Sequence, residues 1–333
     1  MFISLVLLLF NMSRKPGQWH KTGFAGGTID EMLFNRGARL IYLRNIDPIS
    51  DKGDLETRFT AQNSRAQEVI DTVDLPERYD LTLKDAIRTF GFMLKNSFQT
   101  APHYIPSFAR KMYQAQLSEV NHGDTVILFF HGYHQNAGSA IQLCQDASQL
   151  GVKVVAVDYD YRMSPEEFSK TVLLPAQKEV LDRRAGKITV LGHSTGADNS
   201  RYSLIHDSNV LDQAVDKGIQ YIFSAPLTSG IRGDLSWAQR LVLPFMPQRD
   251  KLWTPEGKEQ FLALNYPLPE EVKAYTFLCA NDMLVRPECG LDTNNNAVNI
   301  LTSDGGHFEG TGISTPINAN YVQMALGSIL APK

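Results

Sequence analysis

Three residues of the types that perform acyl transfer occur in the order serine, aspartate, histidine along the chain. Ser194 lies in "KITVLGHSTGADNS" (187–200), flanked two residues either side by Gly192 and Gly196. Asp282 lies in "FLCANDMLVRPE", directly after an apolar run, and His307 lies in the Gly-rich "LTSDGGHFEG". A serine hydroxyl is a weak nucleophile at neutral pH, so it needs a base to take its proton and a carboxylate to orient that base. Here His307 would be the base and Asp282 the carboxylate. The competing reading of Ser194 is a Gly-rich strand-to-helix turn with serine as helix cap.

Acyl transfer passes through a tetrahedral oxyanion, which needs preorganised backbone donors, each worth about 3 kcal/mol of barrier where measured. The segment "FFHGYHQN" (129–136) ends a strongly apolar strand. The N–H groups of Tyr133, after the His131-Gly132 pair, and of Thr195, after the serine, are the natural pair. His131 and His134 read as loop-packing or hydrogen-bonding histidines. Other carboxylates compete with Asp282: Asp158 and Asp160 follow a strand, Asp304 and Glu309 neighbour His307, and Glu288 follows Asp282. Asp282 fits both strand end and chain order, with turn capping as its alternative role.

These residues need a scaffold that brings distant segments to one edge. After Asp124 the sequence alternates apolar runs with helical segments: "TVILFF" (125–130), "KVVAVDYD" (153–160), "KITVL" (187–191), "IQYIFSA" (219–225), "AYTFLCA" (274–280) and "AVNIL" (297–301). Unbroken runs are the pattern of strands covered on both faces of a parallel sheet. Ser164, Pro165 and Glu167 form a capping signal that opens a helix toward Arg184. The alternation predicts an α/β doubly wound sheet. Upstream, "ARLIYL" (38–43) reads as a strand, "SRAQEVIDTV" as helical, and Leu81–Gln99 carries Ile87, Phe90 and Leu94 at helical spacing. Residues 102–124 read as short polar stretches at a boundary.

With "HGYHQN", "GHSTG", "NDMLVRP" and "GGHF" in order, residues from about 120 to 333 resemble the α/β-hydrolase superfamily, and among its branches the lipases and esterases. The resemblance implies a mostly parallel sheet, hydrolysis through an acyl-serine intermediate, and neither metal nor organic cofactor. Thr195 departs from the Met or Gln that many lipases carry, which leaves the substrate class open.

The resulting organisation is an apolar N-terminal segment (1–12), a largely helical extension (13–120) and a catalytic domain (121–333). Residues 226–270 interrupt the strand rhythm, and 231–254 read as a cap or lid. Trp237, Leu241, Leu243, Phe245, Met246 and Trp253 would supply an apolar wall for an acyl chain, the alternative being a crossover helix packed on the sheet.

The run Phe2–Phe10 is too short to span a bilayer at about 20 residues. It is either an anchor or export segment with peripheral membrane contact, or lies upstream of a start at Met12 in a cytoplasmic protein. A net charge of -4, from 32 basic and 36 acidic side chains, offers no footprint for nucleic acid. Cys144, Cys279 and Cys289 are odd in number and show no paired metal spacing. The expected activity is cleavage of a small-molecule ester or lipid. An acyltransferase or thioesterase using the same triad is the alternative, and a non-catalytic hydrolase-like binding protein is the other class. Oligomeric state is not legible.

Overall fold

The computed structural model describes residues 38–42, 53–71, 101, 105–133, 135–228, 254–279, 282, 284–293, 298–302, 307 and 315–327. The apolar segment 1–12, the helix expected over 81–99 and His134 lie outside them, as do Asp304, Glu309 and the wall residues Trp237, Leu241, Leu243, Phe245, Met246 and Trp253.

Among the described residues seven strands form one sheet: β1 (Ala38–Tyr42), β2 (Thr125–Phe130), β3 (Lys153–Val157), β4 (Lys187–His193), β5 (Gln220–Ser224), β6 (Ala274–Cys279) and β7 (Val298–Thr302). Their spatial order is β1-β7-β6-β5-β4-β2-β3. The six from β2 to β7 run parallel. Every expected strand is present within a few residues of its bounds.

Among the described residues the α-helices are α1 (Leu55–Asp71), α2 (Pro106–Ser118), α3 (Ile141–Ser148), α4 (Pro165–Phe168), α5 (Leu174–Asp182), α6 (Thr195–His206), α7 (Ser208–Lys217), α8 (Pro255–Leu264), α9 (Pro287–Gly290) and α10 (Thr315–Leu326). The Ser164 hydroxyl accepts from the Glu167 N–H, and Pro165 occupies the first turn, so the expected cap is formed. A π turn, Ser169–Leu173, joins α4 to α5.

The sequence runs are unbroken because alternate residues enter opposite cores. Ile127 and Phe129 of β2 pack on the α3 and α10 side with Leu143, Ala147, Val322 and Met324. Val126, Leu128 and Phe130 pack on the other side with Phe168, Val180, Ala197, Leu204 and Ala214. Fully burying a side chain of this size is worth about 1.5–3 kcal/mol, and both faces of the sheet collect it.

Two upstream features differ from the sequence reading. Residues 106–118 form α2, although the segment reads as polar. Its exposed positions hide the amphipathic pattern, and only Ala109 and Leu117 are buried within it. The division at residue 120 is not a division of the sheet, because β1 pairs antiparallel with β7, Ala38 opposite Thr302 and Tyr42 opposite Val298. Ala66 and Ile70 of α1 pack against Leu278, Leu291 and Leu301.

Candidate active site

Ser194 closes β4 and precedes α6, with φ 50° and ψ −122°. A positive φ is rare and strained for a residue with a side chain, and it persists only where its surroundings enforce it. They do so here. The Ser194 N–H donates to the Ser224 carbonyl at 2.8 Å, and the Ser194 carbonyl accepts from Ala197 and Asp198 at 2.8 and 3.1 Å. The flanking glycines permit the close crossing of strand and helix: a Cβ on Gly192 would lie 2.5 Å from the Gly196 carbonyl oxygen, and one on Gly196 would run into the carbonyl oxygens of Phe130 and His131. The serine therefore stands on a sharp turn at the C-terminal end of a central strand rather than serving as a side-chain cap for α6.

Asp282 follows β6 and His307 follows β7. Nδ1 of His307 lies 2.9 Å from Oδ2 of Asp282, and both residues are buried. The other carboxylate oxygen, Oδ1, accepts from the backbone N–H groups of Leu284 and Val285 at 2.8 Å each. These bonds fix the carboxylate, leaving Oδ2 aimed at the imidazole. The turn after β7 is held to the serine turn through His193, whose Nε2 lies 2.8 Å from the His307 carbonyl oxygen, with the two rings 4.9 Å apart.

A serine on a strained turn after a central parallel strand, a carboxylate after the next strand but one and a histidine after the last strand complete the topology. The fold is the α/β-hydrolase fold. Antiparallel β1 extends the parallel sheet at the β7 edge.

The loop after β2 supplies the other wall of the candidate site. A Cβ on Gly132 would come within 2.9 Å of the Ser194 Cβ, so the loop backbone rides directly over the serine. The Gly132 carbonyl is engaged by the Gln135 N–H at 3.2 Å and by Nδ1 of His131 at 3.0 Å. Across a planar trans peptide the Tyr133 N–H points opposite to that carbonyl. Thr195 opens α6, so its N–H belongs to the first turn, where no intrahelical acceptor exists.

His131 is a packing histidine, as expected. It is fully buried and stacks on Tyr159 at 4.3 Å, and its Nε2 accepts from the Tyr159 N–H at 3.3 Å. Burial holds its pKa below the ordinary histidine value. The rival carboxylates have other work. Asp160 is an exposed partner of Arg162 at 2.7 Å, whose hydrogen bonds hold its carboxyl down to about 2. Asp158 accepts from the Ala137 N–H at 3.2 Å and lies 3.6 Å from His131 Nε2. Glu288 lies 2.8 Å from the Arg286 guanidinium.

Three residues were not singled out from the sequence. His193 and Gln135 sit inside the quoted motifs, yet their roles are tertiary contacts that no spacing announces. Asp198, one helical turn beyond Ser194, is buried, and burial pushes its carboxyl up to about 7 despite the hydrogen bond it accepts from the Leu227 N–H at 2.8 Å.

Among the described residues no group of three or more histidine, cysteine, aspartate or glutamate side chains is arranged to hold a metal ion. No described helix is long and apolar enough to cross a membrane. No protein-family model matches the chain, and no curated protein matches it in sequence. Solved structures do resemble it. An esterase of Pyrobaculum calidifontis is 16% identical, with 62% of this chain and 77% of that one covered and a TM-score of 0.44. A Bacillus licheniformis lipase in its propeptide form is 17% identical, with 64% and 51% covered and a TM-score of 0.46. A monoacylglycerol lipase of Paleococcus ferrophilus is 13% identical, with 63% and 97% covered and a TM-score of 0.42.

Proposed function

We propose that this protein is a serine hydrolase that cleaves carboxylic esters, with a lipid-like acyl group as the favoured substrate. The observation that carries the reading is the Asp282–His307 pair, tied through His193 to the strained serine turn, with one carboxylate oxygen on the imidazole and the other spent on two backbone N–H groups. In this reading the Ser194 hydroxyl oxygen attacks the acyl carbon while Nε2 of His307 takes its proton, and Asp282 holds the Nδ1–H and stabilises the imidazolium. The N–H groups of Tyr133 and Thr195 stabilise the oxyanion. Collapse of the intermediate expels the alcohol, which takes its proton from His307. Water then gives a proton to the same nitrogen and attacks the acyl-serine; the second intermediate breaks its bond to Ser194 Oγ, which takes that proton back from His307 as the acid leaves.

The acyl group is proposed to lie against residues 231–254. The chain enters that segment from β5, whose C-terminal end holds the Ser194 N–H, so it follows directly on the sheet edge that carries the serine. Each methylene buried there would contribute about 0.8 kcal/mol. The test is labelling by a fluorophosphonate probe, together with hydrolysis of p-nitrophenyl esters of rising chain length. Labelling with a chain-length-dependent rate supports the reading, and absence of both overturns it. Acyl transfer to an added alcohol in preference to water would reassign the protein to the acyltransferases, and a preference for thioesters to the thioesterases.

A further inference from the structure

The contacts around the residue before the nucleophile tie three parts of the site together. The Gln135 side-chain oxygen accepts from the Gly132 N–H at 2.8 Å and lies 3.1 Å from Nδ1 of His193, while Nε2 of His193 lies 2.8 Å from the His307 carbonyl oxygen. His193 is 1% exposed. Burial, with the neighbouring His307 ring, holds its pKa well below the ordinary value, so the ring is neutral and carries one N–H. At the shorter distance that proton belongs on Nε2, donated to the His307 carbonyl, and the Gln135 oxygen near Nδ1 is held by the Gly132 N–H rather than by the ring. Asp282 orients the His307 ring but does not set how far its backbone stands from Ser194. His193 does, because it is the covalent neighbour of Ser194 and grips the His307 main chain directly.

We propose that His193 is a positioning residue, which registers the base to the nucleophile through its Nε2–H bond to the His307 carbonyl. The inference rests on the ester-hydrolase reading. It separates from ordinary core packing because a packing role needs only shape, whereas this one needs a donor at the Nε2 position.

The test compares His193→Phe, His193→Gln and His193→Asn with wild type, using p-nitrophenyl butyrate hydrolysis and the rate of fluorophosphonate labelling, after thermal melts have verified folding. Phe keeps the ring shape without a donor, Gln places an amide N–H near the Nε2 position, and Asn reaches only the Nδ1 position. A small misplacement of a catalytic group costs up to about 100-fold, so His193→Phe should lose roughly 10- to 100-fold in kcat and labelling rate with KM changed by less than about three-fold. His193→Gln should recover most of that loss and His193→Asn little of it. A folded His193→Phe within about two-fold of wild type, or equal activity of the Gln and Asn variants, overturns the proposal. If His193→Phe does not fold, the Gln and Asn pair decides by the same criterion. A wild-type protein that neither hydrolyses the ester nor labels refutes the function instead, before any variant is compared.

Discussion

The carboxylate of Asp282 divides its two oxygens between two tasks, Oδ2 lying 2.9 Å from Nδ1 of His307 and Oδ1 accepting from the main chain of Leu284 and Val285. An amide at this position could keep only part of that arrangement. With its oxygen on the two backbone donors, its N–H groups would face the imidazole and favour the wrong tautomer. Asp282→Asn is therefore expected to lower kcat by about 10³-fold or more while the protein stays folded. Steady-state kinetics beside circular dichroism will check this. The exposed Asp160→Asn should remain within about two-fold of wild type, since its partner is a surface guanidinium. The reverse ranking would reassign the acid.

Ser194→Ala and His307→Ala should each remove turnover by at least about 10³-fold, because members of such a set act as a unit. Probe labelling should vanish in the serine variant. Near-wild-type hydrolysis by Ser194→Ala would falsify the mechanism.

Gly196→Ala should cost about 1–3 kcal/mol of stability, and more of activity than of fold, because the added methyl enters the carbonyls that end β2 and begin the loop over the serine. Urea unfolding and ester kinetics on the same preparation measure both. An active variant of wild-type stability would mean that the helix-strand crossing yields more easily than its spacing implies.

Arg201 is buried within α6, its Nε donating to the Leu264 carbonyl and its Nη1 2.7 Å from Asp292. Arg201→Met should destabilise by about 3–5 kcal/mol, since it strips the cation from a buried carboxylate. The check is the shift in urea midpoint. A loss below about 1 kcal/mol would show that the pair's desolvation nearly cancels its attraction.

Asp198 makes stability depend on pH with a definite sign. Its folded pKa, about 7, exceeds the ordinary aspartate value of 3.8, so between those values the folded state binds more protons and this group's contribution falls as pH rises. Asp198→Asn keeps an oxygen for the Leu227 N–H and removes the charge. The variant should be more stable than wild type by roughly 1–3 kcal/mol at pH 8, with the gain shrinking toward pH 4. Equilibrium unfolding at several pH values tests this, and a gain that grows on acidification would contradict it.

The parallel strands were legible because each is buried on both faces and writes an unbroken apolar run, as in Val126–Phe130 and Tyr275–Cys279. Chain order and strand ends brought Ser194, Asp282 and His307 into view together, since a parallel sheet delivers every strand's end to one edge. Other features depend on tertiary partners. α2 exposes most of its surface and so mimics a polar connection. Nothing local in Ala38–Tyr42 names β7 as its neighbour. His193 and Gln135 bond across segments far apart in the chain, and a motif read along the chain carries no sign of such contacts.

The pairing of β1 with β7 sets an order of events during synthesis. Ala38 finds its ladder partner only in Thr302, after all five intervening strands have been made. Contacts so distant in sequence bear a large loop-closure cost before they are rewarded, and they slow folding. Of the seven described strands, the one made first is thus the last to dock. Until then the β7 edge offers unpaired backbone groups to any other extended chain, a template for misassembly that closes when β1 arrives.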